Sequence, residues 1–76
     1  MIYEERIEIN PEIMMGKPVI KGTRIPVYVV LNLLGEGYDM ERIKDEYPDL
    51  TDKDILAVLK FAAHIMEFEE IEGTLV

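Results

Sequence analysis

Residues 15–27 read MGKPVIKGTRIPV, and the reading of this run decides how the chain folds. Glycines at 16 and 22, prolines at 18 and 26 and cations at 17, 21 and 24 are interleaved there with apolar residues. Such punctuation marks turns rather than one continuous element. Val19 and Ile20, between Pro18 and Gly22, read as a short strand. Upstream, Arg6-Ile7-Glu8-Ile9-Asn10 alternates polar and apolar, the pattern of a half-buried strand with Ile7 and Ile9 inward. Asn10-Pro11 then turns the chain. Together these predict a β-hairpin within about residues 5–22. A ribbon of two short strands is marginal by itself and must lie against a helix or another chain.

Downstream of the run the period changes. Pro26 suits the first turn of a helix, where its missing N–H costs nothing. Val27, Val30, Leu31 and Leu34 then follow at i, i+3, i+4 and i+7, one helical face. Val27, Val29 and Val30 would also suit a strand, but the period decides for a helix over about residues 26–35, closed by Gly35 and Gly37. Asp39 is placed to cap a second helix over about 39–47, with Glu41 in its first turn, an inner stripe of Met40, Ile43 and Tyr47, and Pro48 as its stop. Thr51-x-x-Asp54 approximates a capping box and opens a third helix over about 52–70, followed by a tail at 71–76. The expected fold class is mainly α: three helices with a short N-terminal β-hairpin, in a single domain.

The third helix is apolar on two sides. At 100° per residue, Ile55, Val58, Leu59, Ala62 and Met66 cluster together. Phe61, Ile65 and Phe68 fall near the opposite side, beside Ala57 and His64. Either the hairpin covers this second face or another molecule does. We expect the latter, with Phe61, His64, Ile65, Phe68 and Ile71 at a dimer or partner interface, because few residues remain to cover two phenylalanines. Size points the same way. A 76-residue chain buries only about 60% of the surface its unfolded form exposes. With no cysteine and one histidine, disulfides and transition-metal sites are not expected to supply the missing stability. A homodimer is the expected remedy.

Charge is distributed unevenly. The net charge is −8, yet residues 13–35 contain no acid and hold Lys17, Lys21 and Arg24. An acidic total disfavours non-specific nucleic-acid binding, so any DNA contact would come from those three cations gripping phosphates. The corner Pro48-Asp49-Leu50 has the length of a helix-turn-helix connection, but the helix after it opens with Asp52 and Asp54, which repel phosphate. Catalysis is not expected: there is no cysteine or serine, and His64 lies mid-helix among apolar neighbours. The acids from Asp39 to Asp54 lack the spacing of a calcium loop and read as a solvated face. No cofactor, metal or small-molecule substrate is expected. The N-terminus MIYEERIE lacks the apolar core of a signal peptide, and no apolar run nears the ~20 residues of a membrane span. A cytoplasmic protein is expected.

The run GKPVIKGTRIPV at residues 16–27 resembles the hallmark GKPxIxGTRIxV of the domain-of-unknown-function 433 (DUF433) family. The rest of that family's scheme follows in order: an Ile-rich strand ending Asn-Pro at Ile7 to Pro11, an apolar helix ending at glycine, Tyr47-Pro48, and Leu50-Thr51 before a last helix. The resemblance spans about residues 5–66. It implies a homeodomain-like, helix-turn-helix fold with a small N-terminal β element, commonly dimeric. It further implies a VapB-type antitoxin that binds and silences a PIN-domain-like ribonuclease, with operator DNA as a further partner. Three readings stay open: the antitoxin that the resemblance implies, a stand-alone helix-turn-helix regulator, and a structural oligomerisation module.

Overall fold

The computed structural model describes residues 2–3 and 5–68. Three two-residue strands, β1 (Ile2–Tyr3), β2 (Ile7–Glu8) and β3 (Val19–Ile20), form an antiparallel sheet in the order β1-β2-β3. Three helices follow: α1 (Val27–Gly35), α2 (Met40–Glu46) and α3 (Asp52–Phe68). The mainly helical fold with an N-terminal hairpin is as the sequence predicts. Ile7 lies opposite Ile20 and Glu8 opposite Val19. Strand β1, which the sequence reading omits, is added to the far edge of β2. Residues 69–70 of the expected last helix, the 71–76 tail with Ile71, and the Phe68 side chain lie outside what is described.

The run at residues 16–27 folds back on itself. Gly22, at φ +84°, sits in a turn closed by the Thr23 N–H donating to the Ile20 carbonyl at 3.0 Å. That left-handed backbone is one glycine adopts at no steric cost. The Thr23 hydroxyl donates to the Ile20 carbonyl at 2.7 Å and accepts from the Ile25 N–H at 3.0 Å. The Ile20 N–H in turn donates to the Ile25 carbonyl, and the Val27 N–H to the Pro18 carbonyl. Pro26 bridges Val19, so it is extended (ψ 147°) and stands just before α1 rather than in its first turn. Its φ of −68° is helical, but pairing with β3 holds its ψ open.

The helix ends carry the expected signals. The Asp39 side chain accepts from the Arg42 N–H at 2.9 Å and caps α2. Gly37, at φ +98°, ends α1: its N–H donates to the Leu34 carbonyl and the Tyr38 N–H to the Leu33 carbonyl, both at 3.0 Å. This paired arrangement satisfies the last carbonyls of the helix. Thr51 and Asp54 form a reciprocal capping box. The Thr51 N–H donates to Asp54 Oδ2 at 3.0 Å, and the Asp54 N–H to Thr51 Oγ1 at 3.2 Å.

The core gathers Ile7 and Ile20 from the sheet, Val27 and Val30 from α1, Ile43 from α2, Leu50 from the corner, and Ile55, Ala57, Val58 and Phe61 from α3. Helix α3 packs on α1, α2 and β2. Its inward face therefore differs from the expected one in two ways. Phe61, assigned to the interface, is 3% exposed and belongs to the core, because β2 lies against α3 and the ring fills the space between sheet and helices. Leu59 and Met66, assigned inward, are exposed. The core reaches α3 along the line of Asp54, Val58 and Phe61, about a quarter-turn from the predicted centre.

Asp54 is the one buried charged residue among those described. Its Oδ1 accepts from Arg6 Nη1 at 2.9 Å, tying the strand β2 region to the start of α3. Replacing Asp54 by Ala removes a cap worth ~1 kcal/mol and strands a half-buried guanidinium. Chemical denaturation of Asp54→Ala is expected to show a loss of about 2–3 kcal/mol. Asp54→Asn, which still offers an oxygen to the Thr51 N–H, should lose less. A second stability prediction concerns the loop before β3. Met14, Met15 and Gly16 are successive left-handed residues, at φ 49°, 57° and 85°. Each non-glycine residue there costs roughly 1–2 kcal/mol. Met15 is 87% exposed and loses no packing on truncation. Met15→Gly should therefore raise stability by about 0.5–1 kcal/mol after glycine's own entropy cost.

Candidate protein-binding face

The helix α3 meets the core on one side and solvent on the other. Its solvent side carries Leu56 (48% exposed), Leu59 (42%), Ala63 and Met66 (57%). A shallow depression of about 520 Å³ lies along it, floored by Leu56, Ala57, Leu59 and Ala63 and edged by Arg6, Lys53 and Lys60. Scattered exposed apolar residues need no explanation, but a contiguous row with a charged rim is the signature of an interaction surface. The sequence reading gave α3 two apolar sides but drew them through other residues. It set Ala57 and Phe61 apart from Ile55 and Val58, with which they share the core, and left Leu56 and Ala63 out of both. The spacing of residues 56, 59, 63 and 66 is the signal that would have found this row.

The remaining expected interface residues separate. His64 is half-buried. Ile65 continues the inward line of Val58 and Phe61, but no described residue of α3 beyond Phe61 is buried, and Ile65 is 39% exposed. Ile65 thus extends the core stripe past the core.

The three candidate nucleic-acid contacts are all exposed. The Lys17 ammonium stands 5.6 Å from the centre of the Tyr28 ring, a cation–π contact. Lys21 and Arg24 have no side-chain partner among the described residues. Both flank the Gly22 turn, whose glycine and threonine serve the backbone. At the opening of α3 the two aspartates are engaged: Asp54 by Arg6 and Thr51, Asp52 by Lys44 at 2.7 Å.

The perturbed titrations are structural in origin. The Lys44 ammonium donates to Asp52 and, at 3.1 Å, to Glu41, and these bonds raise its pKa above the ordinary lysine value. The pair with Asp52 links α2 to α3. The Tyr38 hydroxyl donates to Glu46 Oε1 at 3.1 Å, a bond that raises the phenol's pKa, while the Arg42 guanidinium lies 3.8 Å from the ring centre. Among the described residues, no three His, Cys, Asp or Glu side chains are grouped to hold a metal ion. No described helix is long and apolar enough to cross a membrane.

Comparison with known proteins agrees with this architecture. A crystal structure of a DUF433 member protein from Anabaena variabilis superposes with a TM-score of 0.76 at 29% identity, over 82% of this chain and 61% of that one. An uncharacterized protein, y4eO, from Sinorhizobium fredii is 39% identical over 46 residues, 60% of this chain. The match spans only 21% of y4eO, so the chain corresponds to about a fifth of that relative. An uncharacterized protein from Archaeoglobus fulgidus is 65% identical over 23 residues, 30% of this chain and 64% of that protein. The family model described as "Protein of unknown function (DUF433)" matches residues 7–62, from the first core strand through the last buried turn of α3, and the chain belongs to that family.

Proposed function

We propose that this protein is a cytoplasmic VapB-type antitoxin with a homeodomain-like, helix-turn-helix arrangement, and that it binds and neutralises a PIN-domain-like ribonuclease. The observation that carries this reading is the distal part of α3. Beyond Phe61 none of its described residues is buried, yet Ile65 and Met66 keep large apolar side chains in solvent ahead of Glu67. The sequence then continues Glu69-Glu70-Ile71-Glu72. An apolar anchor followed by acids suits a cationic, RNA-binding groove on a ribonuclease: the apolar side chain supplies the contact and the carboxylates the complementary charge. Such an antitoxin blocks its target by occupation and performs no chemistry itself. The resemblance of the residue 16–27 run to the family hallmark supplies the identity of the partner class.

The test is co-expression with a neighbouring PIN-domain-like ribonuclease, followed by co-purification and an RNA-cleavage assay. Wild-type protein is expected to co-purify and suppress cleavage, and Ile65→Arg to weaken capture about tenfold or more while leaving the fold intact. A ribonuclease that cleaves RNA undiminished in excess antitoxin rejects the proposal.

DNA binding is the second reading, favoured by Lys21 and Arg24 standing exposed and unpaired among the described residues, and by the neutralised start of α3. It expects salt-dependent retention of the chain's own upstream DNA, weakened by Lys21→Ala with Arg24→Ala in a mobility-shift assay. No shift at low salt rejects it.

A further inference from the structure

Residues 56, 59, 63 and 66 are separated by three, four and three positions, the alternation of a and d in a heptad repeat. In that frame Asp54 and Phe61 fall at f, opposite the seam, and both are buried against the chain's own body. The back of α3 is thus occupied by its own domain, and the a/d seam looks outward. The e positions beside the seam are Lys53, Lys60 and Glu67. None of the three has an ion pair among the described residues, in a chain with sixteen acids and eight bases.

We infer that this seam docks on the same seam of a second copy, with the two α3 helices antiparallel about a twofold axis. In this register Leu56 meets the partner's Met66 and Leu59 meets the partner's Ala63. The twofold repeats both layers, as an isologous interface requires. Leucine against alanine at the centre lets the helices approach closely. Antiparallel pairing also sets e against e. Lys53 then faces the partner's Glu67, twice by symmetry, and both unpaired charges gain a partner. The depression beside Leu56 and Leu59, with its apolar floor and its Arg6, Lys53 and Lys60 edge, receives the partner's Met66 and Glu67. A parallel pair would set e against g, placing Lys60 by the partner's Ile55 and Glu67 by the partner's Ala62, with no charge satisfied. The arrangement has one opposing feature: Lys60 meets the partner's Lys60 on the axis. That repulsion makes a prediction of its own.

The seam shares Met66 and Glu67 with the surface assigned to the ribonuclease. Leu59 and Lys53 lie outside that surface and Ile65 lies outside the seam, so Leu59→Glu reads the dimer and Ile65→Arg the ribonuclease independently. Sedimentation of the full chain reads the self-association. Wild type is expected to dimerise, and Leu59→Glu, at an exposed position, to be a monomer with unchanged helical circular dichroism. Lys53→Glu and Glu67→Lys are each expected to weaken the dimer about tenfold, and the double charge swap to restore it, while Lys60→Gln tightens it. A wild-type chain that stays monomeric up to about 1 mM overturns the inference. So does a Leu59→Glu variant that remains dimeric, or a charge swap no tighter than its single variants.

Discussion

The carboxylate of Asp54 holds the two halves of this fold together. One oxygen receives the Thr51 N–H and closes the first turn of α3; the other receives the Arg6 guanidinium from beside β2. Two-residue strands have too few ladder bonds to persist alone. Here they are fixed by a charged hydrogen bond to the helix start and by Ile7 and Ile20 sinking among Val30, Ile55 and Phe61. The arrangement is economical in groups. One side chain satisfies a helix end, neutralises a half-buried cation and aligns the sheet on α3, and each role positions the groups that serve the others.

The run that names the family is an instrument of folding before anything else. Its second glycine supplies a left-handed turn, its threonine bonds both sides of that turn, and its second proline delivers the chain from a β-bridge into α1. Each residue type is where the backbone requires it. Lys21 and Arg24 are different, since their side chains do nothing for the turn they flank. They are the part of the run free to serve binding.

Helix α3 has three distinct surfaces. Its inward line from Asp54 to Phe61 builds the core, its row from Leu56 to Met66 lies open beside Lys53 and Lys60, which have no ion pair among the described residues, and Ile65 carries the core stripe past the body. Among the described residues, nothing covers the apolar row on the outer side of this 17-residue helix.

The sequence by itself determined the local structure. Period and punctuation placed α1, α2 and α3, and Asp39, Thr51, Asp54 and Gly37 act at the helix ends as their types require, because capping depends on neighbours within a few residues. That the strand at Ile7 pairs with the one at Val19-Ile20 was equally legible, as alternation fixes which side of a strand is apolar, while the register that sets Ile7 opposite Ile20 came from the structure. Only the tertiary structure decided which side of α3 faces inward. Periodicity gives the angle between apolar residues but not the direction from which the rest of the chain approaches. When β2 came to rest on α3, Phe61 was drawn into the core while Leu59 and Met66 were turned out to solvent.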